Sequence, residues 1–272
     1  MSVTSLDGRL QFAEQQWYVR GFGILVLFML WTILASLFPF KLMPYPYQAL
    51  DAVGTLFAKG AVVPNLIATS VRVFFGFLGA LALGIGIGVF MGINNYGRKL
   101  FTPYVMFGLS IPGLAWAITM TLVFGFTLLA PVTTAVLIIY PYIAIQIWKG
   151  VENIRSELIE MAGAFNVSRL RTLYRVIIHN IAPELFTAFR YSFSLSWKII
   201  PVAELFSTGS GVGYKLMQAY DFYNFEAVWA WIIIYIAVVL LVEYGLLQPL
   251  EKKVFAYRSD ADFGLVGSGA GA

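Results

Sequence analysis

A row of polar side chains interrupts the apolar stretch at residues 183–203, which is long enough to cross a membrane. Its members are three or four residues apart and so share one helix face: Thr187, Tyr191, Ser194 and Lys198, with Arg190 beside them. Charges at the centre of a membrane helix cost about 2.5–3.5 kcal/mol each on insertion scales, so they seldom lack a role. Two cations and three hydroxyls on one face predict a path that accepts an anion. In the alternative interpretation, Arg190 and Lys198 extend to opposite membrane interfaces.

The segment SIPGLAW, residues 110–116, predicts a broken helix. Pro112 has no backbone N–H to donate, and Gly113 loosens the turn that follows it. Non-helical backbone at membrane depth persists where it lines a cavity or is covered by protein. Pro112 and Trp116 therefore belong either to a transport path or to a packing kink.

A charged segment, residues 159–184, reads IEMAGAFNVSRLRTLYRVIIHNIAPE. Apolar residues recur at helical spacing on both sides of Asn166, which predicts two short amphipathic helices. The two apolar sets are Leu158, Ala162 and Phe165, then Leu170, Leu173, Tyr174 and Ile177. Asn166 suits a left-handed residue that ends the first helix, and Ser168 suits the cap of the second. The opposite face carries Arg169, Arg171 and Arg175. Such a segment either lies on the lipid surface or docks a soluble partner.

Two apparent sites of chemistry are set aside. The run GSGVGYK at residues 209–215 is not a phosphate-binding loop, because Tyr214 separates Gly213 from Lys215 and Leu216 stands where a hydroxyl is needed. We expect a flexible turn there. His179 is the single histidine and the chain has no cysteine, so neither a metal site nor a catalytic triad is predicted.

The composition indicates that lipid surrounds most of the chain. Hydrophobic residues make up 60% of the 272 residues and charged residues 12%, which is unlike a soluble domain. Uncharged stretches of about 20 residues match the hydrocarbon core of a bilayer. They predict spans at 21–40 and 73–97 and two within 100–148 that separate near Gly125 and Pro131. The apolar runs 183–203 and 227–247, which carry a few charges, supply the fifth and sixth spans. We therefore predict an all-α polytopic membrane protein.

Asp7 and Glu14 precede the first span, whose apolar run is too long for a signal peptide, so we expect that span to be retained.

Lysine and arginine residues in short loops predict the orientation of the spans. One side collects Arg9, Arg20, Arg98, Lys99, Lys149, Arg155, Arg169, Arg171, Arg175, Lys252, Lys253 and Arg258. The other side holds Lys41, Lys59 and Lys215. We expect both termini and the charged segment to be cytoplasmic. The net charge of +4 then follows from topology and does not indicate nucleic acid binding.

Small residues recur every four positions along the second predicted span: Gly76, Ala80, Gly84, Gly88 and Gly92. Stripes of this kind allow helices to pack closely in lipid. We predict a packing surface here, with a sliding surface during transport as the alternative.

The charged segment resembles the cytoplasmic loop of ABC importer permeases, with the pattern E-A-A, three residues, Gly, nine residues, then Ile-x-Leu-Pro. Here Glu160, Met161 and Ala162 align with E-A-A, Asn166 with the Gly, Val176 with the Ile, Ile178 with the Leu and His179 with the Pro. From the second span onward the chain is similar to the branch that imports nitrate, taurine, aliphatic sulfonates and bicarbonate. Residues 69–92 resemble the second span of that branch, and residues 196–216 resemble its fifth span and outer gate loop. Pro112 stands alone where the branch has several prolines.

This resemblance implies a type I ABC importer permease fold at residues 65–249. Residues 1–64 would hold an N-terminal segment, the first span and an outer loop, and residues 250–272 a cytoplasmic tail. It also implies a coupling helix within residues 155–178 that contacts an ATPase through Glu160, Met161, Ala162, Gly163, Asn166 and Ser168.

The implied assembly has two cytoplasmic ATPase subunits that bind ATP and Mg, an extracytoplasmic binding protein and a second permease subunit, which we expect to be an identical copy. The implied role is import of a small anion across the bacterial inner membrane by alternating access: nitrate, a sulfonate or taurine, bicarbonate or a small organic anion. We expect no enzyme activity and no cofactor on this chain.

Two other classes of function are considered. A stand-alone secondary transporter or channel predicts internal repeats and buried acidic relays. We find no convincing repeat, and Glu243 lies close to the cytoplasmic end of the last apolar span. An intramembrane enzyme needs a His, Asp or Ser constellation that the sequence lacks. The glycine-rich end at residues 264–272 has the composition of a linker and is given no function.

Overall fold

The computed structural model describes residues 4–38 and 42–249, and these ranges are helical without a strand. The α-helices are α1 (Thr4–Leu37), α2 (Pro46–Ala58), α3 (Val62–Ile93), α4 (Asn95–Ser110), α5 (Gly113–Phe124), α6 (Leu129–Glu152), α7 (Ser156–Ala164), α8 (Arg169–Thr172), α9 (Ala182–Ser207), α10 (Val212–Asp221) and α11 (Phe225–Val242). Two π-helical turns follow α8 and α11, at Leu173–Ile178 and Glu243–Leu247.

The prediction of an all-α protein is confirmed. The predicted tail, 250–272, with its cations, and Lys41 lie outside the described residues, as do the side chains of Arg9, Arg20 and Arg169.

The described helices fall into two compact units. The first contains α1, α2 and residues Gln218–Ile234, and the second contains Val62–Met217 and residues 235–249. In the first unit, the Trp31 indole N–H donates to the Pro44 carbonyl at 3.0 Å, and the rings of Trp31 and Trp229 lie 5.1 Å apart. The sequence did not predict α2, although Pro46 stands at its first turn, where proline is favoured.

The second unit is built on close packing between α3 and α6. A Cβ placed on Gly84 would lie 2.5 Å from the Ile143 Cβ, and one on Gly92 would lie 2.5 Å from the Val151 Cβ. Gly88 would clash with the Ala144 carbonyl in the same way. The prediction of a small-residue packing surface is therefore confirmed, with α6 as the helix that occupies it.

Helix α3 begins eleven residues before the predicted start of the second span at residue 73. The predicted span began directly after Arg72, because a charge normally marks a membrane interface. Within this helix, however, Asn65, Thr69 and Arg72 are all buried, and Arg72 is paired with Glu204 of α9. A buried ion pair removes the need for a charge to end the helix, so the predicted boundary is wrong.

The third predicted span is a bent pair of helices. Helices α4 and α5 meet at an angle of 101°. Ile111 is extended, and Pro112 has φ −57° and ψ 138°, so neither continues the helix. The predicted break at SIPGLAW is confirmed, and so is the separation near Gly125 and Pro131, since α5 ends at Phe124 and α6 begins at Leu129.

Each of the six predicted spans overlaps a described helix, but fewer than six of these helices are long and apolar enough to cross a membrane. Among the described helices, three are long and apolar enough to cross a membrane, and the bent pair makes a fourth: Val62–Ile93, Leu129–Glu152, Phe225–Leu247 and α4–α5. The apolar part of α1, Gly21–Leu37, is shorter. Helix α9 is 26 residues long, but its polar side chains lower its mean hydropathy.

Candidate functional site

Helix α7 ends in a Schellman motif centred on Asn166. The Asn166 N–H donates to the Gly163 carbonyl at 3.0 Å, and the Val167 N–H donates to the Ala162 carbonyl at 2.9 Å. These two bonds satisfy carbonyls that the end of a helix otherwise leaves unpaired. Asn166 has φ +49°, in the left-handed region that asparagine tolerates, which confirms the prediction for this residue. The end of α7 is thus defined by its backbone.

The surface of α7 and its cap is open to a partner. Within the sequence-predicted set, Ala162 is buried at 8% exposure, whereas the others are exposed: Glu160, Met161, Gly163, Asn166 and Ser168. Phe165, predicted to share the inner face with Leu158 and Ala162, is instead 77% exposed. It follows the last helical residue, and its φ and ψ of −86° and 11° turn it away from that face. A helix surface with exposed methionine and phenylalanine side chains is suited to bind another protein.

The second short helix is only partly α-helical. Helix α8 covers four residues, and the chain then widens into the π-helical turn at Leu173–Ile178. Ile177 is buried and Leu173 packs on the core, but Leu170 and Tyr174 are exposed. The prediction that all four share a buried face is wrong, because a π-helix shifts side chains relative to the 3.6-residue period. The Ser168 carbonyl accepts the Thr172 N–H at 2.9 Å, as expected of the residue before a helix.

The polar stripe of α9 lies on the side turned away from the buried core of the second unit. Thr187, Tyr191 and Lys198 are exposed, and Ser194 is half-buried. The buried side of the same helix includes Ala188, Ser192, Ser196, Ile200 and Glu204. The Tyr191 ring lies 5.8 Å from the Tyr142 ring of α6, so part of α6 borders the stripe. The structure thus leaves Thr187, Tyr191 and Lys198 exposed on one side of α9 within the part of the chain that it describes.

The two cations of the stripe have different surroundings. Arg190 Nη2 donates to Glu243 Oε1 at 3.4 Å, so its charge is balanced by the start of the second π-helical turn. Lys198 forms neither a hydrogen bond nor an ion pair within residues 42–249. Lys198 therefore has the charge that is open to a ligand.

The bent pair, which contains the other two candidate residues Pro112 and Trp116, packs against α9 through α5. Helix α5 packs against α6 and α9. The Pro112 carbonyl accepts the N–H groups of Ala115 and Trp116 at 2.9 and 3.3 Å, which starts α5. The Trp116 ring makes an edge-to-face contact with Phe107, at 6.3 Å, instead of a ring contact with the stripe. Its indole N–H is buried without an acceptor among the residues that the structure describes.

Sequence reasoning missed a buried polar cluster at the other end of α9. Arg72 and Glu204 pair at 2.5 Å, and Thr69 and Asn65 join them. The charge count assigned Arg72 to neither side of the membrane, and Glu204 fell just beyond the predicted fifth span. One signal was available, since each is a lone charge at the end of an apolar run and the two have opposite signs.

The comparison with known protein families matches residues 80–254 to the family described as binding-protein-dependent transport system inner membrane component. The match covers more than half of the chain. The chain belongs to this family. It is thus a permease of a binding-protein-dependent ABC importer, and the resemblance to ABC importer permeases stated from the sequence is confirmed.

Several relatives of the permease carry substrate names. It is 26% identical to the taurine transport system permease protein TauC of Escherichia coli (strain K12), over 80% of this chain and 81% of the relative. It is 25% identical to a putative aliphatic sulfonates transport permease protein, SsuC, of Bacillus subtilis (strain 168), over 86% and 85%. It is 28% identical to the nitrate import permease protein NrtB of Leptolyngbya laminosa, over 67% and 65%.

A solved structure supports the fold. The permease matches a chain of the MetNI methionine ABC transporter, in an inward-facing conformation, with a TM-score of 0.59 and 18% identity. The match covers 68% of this chain and 92% of that chain. The type I importer permease fold predicted from the sequence is therefore confirmed.

Proposed function

We propose that the permease imports a small anion by alternating access, driven by ATP that separate subunits hydrolyse. The observation that carries the proposal is Lys198, an exposed cation on a polar stripe of a core helix. The names of the relatives agree, since nitrate and aliphatic sulfonates are anions and taurine carries a sulfonate. Nitrate, a sulfonate, bicarbonate and a small organic anion remain the proposed substrate class.

The exposed stripe supports a second permease subunit. A lysine facing hydrocarbon costs about 2.5–3.5 kcal/mol at a helix centre on insertion scales. That cost disappears if the stripe faces water between two subunits. We propose that the second subunit is an identical copy and that the stripes of the two copies, with Pro112 and Trp116 nearby, line the path. Arg190, Tyr191 and Ser194 would border it beside Lys198.

The exposed surface of α7 supports contact with an ATPase. Glu160, Met161, Gly163, Asn166 and Ser168 would contact a cytoplasmic ATPase subunit that binds ATP and Mg. Ala162 would support this surface from beneath, because its side chain is buried. The connection from α6 to α7 is only residues 153–155, so a displacement of α7 would reach the spans directly.

The distribution of cations supports a cytoplasmic location for α7 and for both termini. Arg155, Arg171 and Arg175 lie on or beside the charged segment, and Arg98 pairs with Glu152 at the adjoining end of α6. Cytoplasmic loops are rich in such residues. The opposite face would then receive an extracytoplasmic binding protein that delivers the anion through the bacterial inner membrane.

Reconstitution into liposomes tests the proposal. The permease, the ATPase with which it co-purifies and the matching binding protein should import a labelled anion only when ATP and Mg are present. Lys198→Ala should lower import by roughly tenfold, the loss expected for one charge-assisted contact worth about 1.4 kcal/mol. Lys198→Arg keeps the charge and serves as the control.

The outcomes separate the proposal from its main alternative. Equal import by the Ala and Arg variants would contradict the role of Lys198. Import by the permease alone, without ATP, would replace the proposal with a stand-alone secondary transporter or channel.

A further inference from the structure

A buried ion pair joins α3 to α9 at the end of the bundle opposite α7. Glu204 is the twenty-third of the 26 residues of α9, about 33 Å from the start of that helix at 1.5 Å per residue. Its Oε1 lies 2.5 Å from Arg72 Nη1. Glu204 is fully buried and Arg72 is 6% exposed. Both charges are therefore withdrawn from water and depend on each other.

The same pair holds the loop that connects α9 to α10, residues 208–211, and the first turn of α10. Arg72 Nη1 donates to the Ser210 carbonyl at 2.8 Å, and Nη2 donates to the Ser210 hydroxyl at 2.7 Å. Glu204 Oε2 accepts the Gly213 N–H at 3.0 Å. One residue from each helix thus binds the backbone of this connection.

Two neutral side chains of α3 complete this cluster. The Gly211 N–H donates to Asn65 Oδ1 at 2.8 Å, and the Val212 N–H donates to Thr69 Oγ1 at 2.9 Å. Thr69 in turn donates to Glu204 Oε2 at 2.9 Å. The backbone N–H groups of residues 211–213 therefore all donate to side chains of α3 or α9. We call Asn65, Thr69, Arg72 and Glu204 the polar clamp.

The clamped backbone lies directly against these groups. Gly211 has φ +105°, and a Cβ there would overlap the Glu204 carboxylate and the Arg72 guanidinium. A Cβ on Gly213 would overlap the Pro201 carbonyl. Gly209 is exposed, but residues 211–213 are buried. The expectation of a flexible turn at residues 209–215 is therefore wrong. Residues 212–215 begin α10, and hydrogen bonds connect the first turn of this helix to α3 and α9.

A buried ion pair often stabilises a folded protein no more than an apolar pair of similar volume would. It does fix geometry, since removing either partner leaves an unpaired buried charge. We propose that Arg72 and Glu204 are positioning residues for transport. They keep residues 208–213 seated on α3 and α9 as one rigid body throughout the cycle, so this end of the path opens by movement of helices while the loop stays in place.

The inference rests on the proposed function, and thiol accessibility tests it separately. The chain has no cysteine, so one introduced thiol reports one position. Val212→Cys places it on a buried residue of the clamped turn, and Gly209→Cys, where a Cβ meets nothing within 4 Å, is the exposed control.

The assembled transporter in liposomes is treated with a membrane-impermeant maleimide, first at rest and then during ATP-driven import. We expect the Val212→Cys thiol to be labelled roughly tenfold more slowly than the Gly209→Cys thiol under both conditions. A buried thiol reacts with the maleimide only when its region opens locally, and we expect no such opening here.

Clamp variants then connect the position of the loop to transport. Glu204→Gln and Thr69→Val, each combined with Val212→Cys, should both speed labelling and lower import per assembled complex, while the ATPase still co-purifies. If Glu204→Gln does not assemble, Thr69→Val decides the question, because it removes one hydroxyl and keeps the shape of the side chain.

Three results would overturn the inference. The first is labelling of the Val212→Cys variant as fast as that of the Gly209→Cys variant during import, which would mean that the loop opens. The second is faster labelling in Thr69→Val with import per complex unchanged. The third is unchanged labelling and import in both variants. Loss of ATPase co-purification in the parent chain would instead contradict the proposed function.

Discussion

The guanidinium of Arg190 lies 3.4 Å from the carboxylate of Glu243, which connects the polar stripe of α9 to the π-helical turn after α11. The charge of Arg190 is thus balanced within the chain, whereas Lys198 on the same stripe is not paired with any residue that the structure describes. A balanced charge attracts an anion less than an unbalanced one. The two cations that looked equivalent in the sequence therefore have different expected roles.

The Arg190–Glu243 pair should contribute little to stability. Its side chains are 37% and 29% exposed, and partly exposed ion pairs contribute at most about 1 kcal/mol. We expect Arg190→Gln and Glu243→Gln each to lower the apparent melting temperature slightly in detergent, and the double variant to lose no more than either single variant. A double variant whose loss equals the sum of the two single losses would contradict the pairing.

The exposed surface of α7 should determine ATPase binding. Met161 is 52% exposed, so Met161→Glu changes the surface without changing the interior of the permease. We expect loss of the co-purifying ATPase while insertion and the size-exclusion profile are retained. Tyr96→Glu alters another exposed large residue, on α4, and should leave the ATPase bound. ATPase recovery that is equal for both variants would rule out α7 as the contact. Ala162→Asp is a less clear test, because Ala162 is buried.

Asn166 should tolerate glycine but not a β-branched residue. Its φ of +49° costs roughly 1–2 kcal/mol for an ordinary L-residue and nothing for glycine. We expect Asn166→Gly to keep ATPase binding and Asn166→Val to weaken it, with faster proteolytic cleavage between α7 and α8. If Asn166→Val behaves like Asn166→Gly, the left-handed cap is not required for binding.

Two glycines of α3 two residues apart should respond in opposite ways to alanine. A Cβ at Gly84 would lie 2.5 Å from Ile143, whereas one at Gly86 meets nothing within 4 Å. Gly84→Ala should therefore lower the apparent melting temperature, because α3 and α6 must separate. Gly86→Ala should raise it slightly, since alanine is favoured over glycine by roughly 0.5–1 kcal/mol in a helix. The reverse order would show that the α3–α6 contact is not as close as described.

The sequence was sufficient where one physical rule governed a segment. The four-residue spacing of small residues predicted the packing face of α3, the proline at 112 predicted the bend, and the asparagine at 166 predicted the left-handed cap. Each depends on local geometry or on a simple period. The resemblance of the charged segment added the family, which composition alone could not supply.

The remaining features depend on residues far apart in the chain. Arg72 and Glu204 are separated by 132 positions, so neither local sequence shows that the other neutralises it. The exposure of Leu170 and Tyr174 depends on a π-helical turn, which has no reliable pattern in one sequence. Helix α2 was missed because its short amphipathic run was assigned to a loop.

The glycine contacts between α3 and α6 also have a mechanical consequence. Where backbone meets side chain without a gap, there is no soft layer to compress, and closely packed protein transmits strain instead of absorbing it. Only residues 153–155 separate Glu152, at the end of α6, from the start of α7. If a partner displaces α7, as proposed above, the displacement would act through residues 153–155 on the closely packed helices α6 and α3.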